Sequence, residues 1–270
     1  MTPNGFRETV LITGASSGIG AALAECFARD GSTLLLTARR EPALRTLGAE
    51  LAARHQVTCE VFPADLSGPQ GGAELADTIA AAGWQVDVLV NNAGFGLLGR
   101  FSERPLSTQL QMIQLNVTAL TELTGRFLPG MLQRKRGGIL NVSSTTAFQA
   151  GPGMAVYFAS KAFVQRFGEA LAFELKDQPV SVTTLTPGPV ATEFGNRSGM
   201  AQHRPARRNV MTATDVARIG HAAFRQRRAT VIPGWRNRGG AIAVRWLPRR
   251  WVMAAIARYL LDRPAPSNDP

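Results

Sequence analysis

Seven short apolar runs recur along this chain, each separated from the next by a stretch with helical spacing: "TVLIT" (9–13), "TLLLT" (33–37), "VTCEVF" (57–62), "VDVLV" (86–90), "GILNV" (138–142), "VSVTTL" (180–185) and "ATVI" (229–232). Runs this short and this continuously apolar are buried on both faces, as strands are when crossover helices cover a parallel sheet on either side. Gly31 closes the first helical stretch in the position that favours a left-handed residue, and Pro42 opens the second where a missing N–H costs nothing. A chain of 270 residues can bury a substantial core as one domain. The expected fold is therefore α/β: a single doubly wound domain with a seven-stranded parallel sheet flanked by helices over residues 1–235, followed by a basic helical extension over 236–270.

The first run leads directly into "TGASSGIG" (13–20). A strand, a glycine turn and a helix N-terminus form an anion site, because backbone N–H groups and the positive helix end face the same point. Further along, "VYFASKAF" (156–163) sets Tyr157 and Lys161 four residues apart. On a helix these lie one above the other. An ammonium beside a phenol favours the phenolate, so Lys161 is expected to lower the tyrosine pKa from its ordinary value of about 10.

The turn spaces its glycines as Gly14, Gly18 and Gly20, unlike the GxGxxG of most dinucleotide-binding folds. With "NNAG" (91–94), "LNVSS" (140–144), Tyr157-x-x-x-Lys161 and "PGPVAT" (187–192) in the same order over about residues 7–235, the chain resembles the short-chain dehydrogenase/reductase family. The resemblance implies a Rossmann-type fold and an oxidoreductase that interconverts a carbonyl and an alcohol by hydride transfer. It implies Asn116, Ser144, Tyr157 and Lys161 as catalytic residues. Ser144 is preferred to Ser143 because the family's serine lies thirteen residues before its tyrosine. In these roles Tyr157 is the general acid/base and Ser144 bonds the substrate oxygen. Lys161 also binds the nicotinamide ribose, and Asn116 holds a proton-relaying water. For cofactor contacts the resemblance implies Gly14, Ser16, Ser17, Gly18, Ile19 and Gly20 in the turn, and Asp65 and Leu66 after the third strand. Asn92, Ala93 and Gly94 follow the fourth strand, and Pro187, Gly188, Val190 and Thr192 follow the sixth. The second strand ends at Arg39 and Arg40 rather than at an acidic residue, and guanidinium pairs with a 2′-phosphate where a carboxylate would take ribose hydroxyls. The expected cofactor is NADP(H).

Apolar residues flank the presumed site, among them Phe95, Leu97, Phe101, Phe148, Met154 and Phe194, which suits a hydrophobic carbonyl or alcohol. The alternative within enzymes is a 3-oxoacyl-[acyl-carrier-protein] reductase, with Arg197, Arg204, Arg207 and Arg208 docking the carrier. A non-catalytic NADP(H)-binding sensor or scaffold is a further reading, against which the complete set of four catalytic residues weighs.

Charge is distributed unevenly. Residues 196–270 hold 15 arginines and three aspartates, so the whole net charge of +11 resides there. Such a segment attracts anionic surfaces, although no nucleic-acid motif accompanies it and nucleic acid is not the expected partner. The helix expected at 249–261 would gather Val252, Met253, Ile256, Tyr259 and Leu260 on one side. Three uses fit that face: packing on a second subunit of a dimer or tetramer, peripheral contact with an anionic membrane, or a cover over the substrate pocket. The N-terminal residues lack the apolar core of a secretory signal, and no apolar run approaches a membrane span. The expected location is cytoplasmic, with the inner membrane face as a site of peripheral attachment. Cys26 and Cys59 read as small buried hydrophobes rather than a redox pair, and the scattered histidines give no metal site.

Overall fold

The structure, a computed structural model, describes residues 7–200 and 210–261. Six strands alternate with helices: β1 (Thr9–Thr13), α1 (Gly18–Arg29), β2 (Thr33–Thr37), α2 (Glu41–His55), β3 (Cys59–Val61), α3 (Gly71–Ala81), β4 (Val88–Asn91), α4 (Leu106–Ile113), α5 (Leu120–Gln133), β5 (Gly138–Val142), α6 (Ala155–Glu174) and β6 (Ser181–Leu185). A small ladder, β7 (Val190–Ala191) with β8 (Met211–Thr212), brackets the short α7 (Phe194–Arg197). Then come α8 (Ala213–Arg225), β9 (Thr230–Val231), α9 (Trp235–Ala243) and α10 (Arg249–Leu261).

The main sheet has the order β3-β2-β1-β4-β5-β6-β9, and every pairing is parallel. All seven expected strands are present. The interior strands β1, β2 and β5 match their apolar runs residue for residue. The edge strands β3 and β9 are shorter than their runs, because each pairs with a single neighbour. One face of the sheet packs Val10, Ile12, Leu34, Leu36, Val90 and Leu140 under α1, α2 and α8. The other packs Leu11, Leu35, Leu89, Ile139 and Val182 under α3, α5 and α6. Strand order reverses between β1 and β4, and there the crevice beyond the strand ends opens.

Two features depart from the expected pattern. Between α4 and α5 the helix widens to a π-helical turn over Gln114–Ala119. The face of α10 that carries Val252, Ile256, Tyr259 and Leu260 turns inward, with Leu260 buried among Leu98, Met154, Tyr157 and Phe158, while Met253 remains exposed. Of the arginines expected to dock a carrier protein, Arg204, Arg207 and Arg208 lie outside the described residues, as does the side chain of Arg197.

Candidate active site

The β1–α1 turn is held against the end of β4 by a dense set of bonds. Thr13 Oγ1 donates to Val90 O (3.1 Å) and accepts from the backbone N–H groups of Asn92 and Ala93 (both 3.0 Å). Asn92 Nδ2 donates to Thr13 O at 2.8 Å and Gly14 O at 3.2 Å. Gly14 has φ +66°, and a Cβ there would come within 2.9 Å of Ala93 Cα, so the turn demands glycine on both grounds. Gly18, at φ +60°, faces Thr192, with only 3.2 Å between a Cβ and the threonine methyl. The Ser17 side chain does not cap α1, which leaves the first N–H groups of the helix directed into the crevice.

Glycine at 14, 18 and 20 thus lets the turn close against Asn92, Ala93 and Thr192, with a helix N-terminus facing the crevice. The residues present fit a dinucleotide pyrophosphate.

At the end of β2, Arg39 and Arg40 are exposed beside this turn. Arg40 donates to Ser16 Oγ and Ser16 O, both at 3.4 Å, and pairs with Glu193 at 3.1 Å. Across the crevice Asp65 accepts from Ser67 N (3.0 Å) and Ser67 Oγ (2.6 Å). Its pKa lies below the ordinary value: burial acts to raise it, but the bonds from Ser67 and the Arg39 charge outweigh burial. Leu66 is buried behind it. A cavity of about 400 Å³ opens beside Asp65, Ser67, Leu110 and Gln114.

The four expected catalytic side chains meet at the far end of the crevice, all of them buried. α6 supplies Tyr157 and Lys161 one turn apart, and the end of β5 supplies Ser144. Lys161 Nζ donates to Val142 O at 2.8 Å, and its backbone carbonyl accepts from Ser143 Oγ at 2.9 Å. The Ser143 hydroxyl is spent on the α6 backbone, whereas Ser144 acts on the Tyr157 phenol. Asn116, in the π-helical turn, bonds Phe95 N (3.1 Å), Phe95 O (3.0 Å) and Ser160 Oγ (3.0 Å). Both Nδ2 hydrogens and one lone pair of Oδ1 are thus spent on fixing the segment after β4 and on Ser160. Gly94 lies where a Cβ would be 3.0 Å from Asn116 Oδ1 and 3.4 Å from Lys161 Nζ.

The electrostatics correct the expected effect of Lys161 on Tyr157. Burial pushes the phenol up to about 12, offset in part by hydrogen bonds from Ser144 and Thr146, and pushes Lys161 down to about 8. For Lys161, whose ammonium is turned toward Val142 O, desolvation is the one cause acting among the described residues. The i,i+4 spacing showed the pairing of these side chains but not how deeply both would be buried.

Three contributors escaped the sequence reading. Thr146, two residues beyond Ser144, acts to lower the pKa of the phenol, and its N–H donates to Ser144 Oγ at 3.2 Å. Glu193 holds Arg40. Asn237 of α9 packs against Gly188, next to Pro187, whose carbonyl accepts from Thr145 N at 2.9 Å. The adjacent Thr192 Oγ1 accepts from Phe194 N at 3.3 Å, and Val190 pairs with Met211. The Phe194 ring covers Tyr157 with centroids 5.3 Å apart, as Met154 and Phe158 pack around it.

A family model described as short chain dehydrogenase matches residues 8–202. A short chain dehydrogenase of Pseudocercospora fijiensis is 36% identical over 190 residues, which cover 70% of this chain but only 61% of that protein's length. Among solved structures, a short-chain dehydrogenase from Sphingobium yanoikuyae in complex with NADPH superposes with a TM-score of 0.80 at 32% identity, covering 97% of this chain and 98% of the other. The bulky-bulky ketone specific alcohol dehydrogenase from Comamonas testosteroni does so with a TM-score of 0.74 at 29% identity, covering 97% of both chains. Sheet order, glycine turn and matched residues agree, and this chain belongs to the short chain dehydrogenase family of oxidoreductases.

Proposed function

We propose that the protein is an NADP(H)-dependent reductase or dehydrogenase acting on a hydrophobic ketone or its alcohol. The observation that carries this reading is the buried cluster of Tyr157, Ser144 and Lys161 at the end of a crevice whose other end presents Arg39 and Arg40. The bound dinucleotide supplies or accepts the hydride. In reduction, Tyr157 gives its proton to the carbonyl oxygen as negative charge develops there, and Ser144 donates a hydrogen bond to the same oxygen. Lys161 stabilises the phenolate left behind and holds ribose hydroxyls. Thr192 and the backbone at Val190 orient the carboxamide, and Asn116 fixes the Gly94–Phe95 segment against Lys161. The residues packed around Tyr157, namely Leu98, Met154, Phe158, Phe194 and Leu260 of α10, are all apolar, and a site opening among them favours a bulky apolar substrate over a small polar one. The Comamonas alcohol dehydrogenase specific for bulky-bulky ketones supports the same substrate class.

Arg39 and Arg40 favour the 2′-phosphate of NADP(H), as does the NADPH complex of the Sphingobium relative. Replacing Arg39 with aspartate is expected to weaken NADPH binding about 10–100-fold, the scale of a lost charge-assisted bond. NADH affinity should change far less. Fluorescence titration with both nucleotides checks this, and equal loss for both would remove the phosphate from the Arg39 site.

The outer faces of α4 and α6 expose Leu106, Leu110, Ile113 and Phe163, and Phe163 stacks on Phe167 at 5.7 Å. A contiguous apolar face of this kind fits a homo-oligomer packed through these helices. Substituting glutamate at both Leu110 and Ile113 should reduce the mass found by light scattering to that of a smaller species. An unchanged mass would put the subunit contact elsewhere.

A further inference from the structure

The outward surface of α9, α10 and the turn between them is aromatic and basic at once. The inward positions of these helices are accounted for by the fold: Ala241 and Leu260 are buried, and Ile256 and Tyr259 pack beside Leu98 and Tyr157. The outward ones are not. Trp235, Trp246 and Trp251 are 78%, 86% and 61% exposed, and Ile242, Leu247 and Met253 are exposed between them. Three of the protein's four tryptophans are exposed on this segment. Arg238, Arg245, Arg249 and Arg250 are interspersed and exposed, and residues 235–261 contain no aspartate or glutamate.

We propose that this face docks on an anionic phospholipid bilayer, with the tryptophans at the headgroup boundary and the arginines on lipid phosphates. Indole rings favour that boundary because they combine a large apolar area with one N–H donor. Arginine can bury its stem while its guanidinium stays with phosphate, and unopposed cations gain from the negative surface potential of such a leaflet. The apolar side of α10 is folded inward, so the docking face is the opposite side together with α9, and the helices lie on the bilayer rather than enter it. No helix among the described residues is long and apolar enough to cross a membrane.

Other occupants fit less well. A second copy joined symmetrically through this face would bring each set of arginines against its own duplicate, with no acidic residue between 235 and 261 to offset the repulsion. A nucleic acid would satisfy the arginines and could stack on tryptophan, but it offers nothing to Ile242, Leu247 and Met253. The inner face of α10 shares a cluster with Tyr157, so docking sets that cluster one helix away from the bilayer, from which a carbonyl substrate is drawn. This last step, that the carbonyl substrate is drawn from the bilayer, rests on the proposed function, whereas docking itself does not.

Co-sedimentation of the full chain with vesicles tests the proposal, using phosphatidylcholine mixed with phosphatidylglycerol, and phosphatidylcholine alone, at physiological ionic strength. The wild type should pellet with the mixed vesicles and bind pure phosphatidylcholine at least about tenfold more weakly. Charge reversal in R245E/R249E/R250E should lower partitioning about 100-fold, and W246A/W251A about tenfold. Both variants should titrate with NADPH as the wild type does, which shows that they remain folded. Wild type left in the supernatant, or undiminished pelleting of either variant, overturns the proposal. A drop in oligomeric mass on W246A/W251A overturns it in favour of a second copy, and retention on DNA without vesicle binding does so in favour of nucleic acid. Vesicle binding by a protein that takes up neither nucleotide would leave the docking face standing and remove the enzymatic reading.

Discussion

Replacing Tyr157 with phenylalanine lowers the turnover of an apolar ketone by about 10²–10⁴-fold, the contribution expected of a positioned general acid. The substitution is nearly isosteric. Phe158 and Phe194 still pack against the ring, so the fold and the glycine-turn cradle should persist. What disappears is the acidic proton at the reacting oxygen. Ser144 and Thr146 remain nearby, but alkyl hydroxyls are far weaker acids than a phenol and cannot replace it. NADPH affinity should change little, because Lys161 and the turn are untouched. The direction of reaction adds a second signature. With its pKa pushed up to about 12, the phenol is protonated at every pH near neutrality, so ketone reduction should be nearly flat with pH on its account. Alcohol oxidation needs the phenolate and should accelerate as pH rises. Wild-type turnover in the phenylalanine variant would assign the proton to another group and end the mechanism given above.

Lys161→Met is expected to do two opposite things: abolish most activity and stabilise the nucleotide-free protein. Burial pulls the folded-state pKa of Lys161 from 10.5 down to about 8. Below pH 8 the lysine is charged in folded and unfolded chains alike, and the cost of burying that charge is fully present. Between pH 8 and 10.5 the unfolded chain binds more protons, so wild-type stability rises with pH across that window. A shift of this size corresponds to roughly 3 kcal/mol at neutral pH. The lost hydrogen bond to Val142 O returns about 1 kcal/mol of it. The variant should therefore unfold several degrees higher than wild type at pH 7 and lose the rise above pH 8. Tyr157 acts in a separate window, since its raised pKa costs stability only as pH climbs from 10 to 12. Denaturant unfolding at a series of pH values reads both effects. An unchanged profile in the methionine variant would mean that water reaches the ammonium.

Much of the frame was legible because the sheet is parallel and covered on both faces. Continuous apolar runs bounded by glycine fixed β1, β2 and β5, and the Arg249–Leu261 helix matched its expected bounds. The side chains proposed as catalytic were expected from their spacing in the linear sequence together with the family resemblance, and they lie close together in the fold. What could not be read depends on contacts between distant segments. The π-helical turn at Gln114–Ala119 has the local pattern of ordinary helix, yet it carries Asn116 into bonds with Phe95 and Ser160. The depth at which Lys161 sits has no local signal either, and that depth reverses the expected titration of Tyr157. On α10, Met253 shares the helical side of Ile256 and Leu260 yet stays exposed, while Trp251 stands on the opposite side. Periodicity alone does not say which side meets the protein.

The burial of Leu260 beside Tyr157 and Met154 also has a temporal consequence. During synthesis the main sheet, from β1 to β9, emerges before α10, and domains form as their segments become available. The nucleotide cradle and the proton donor can thus be in place while the acceptor space still lacks a wall.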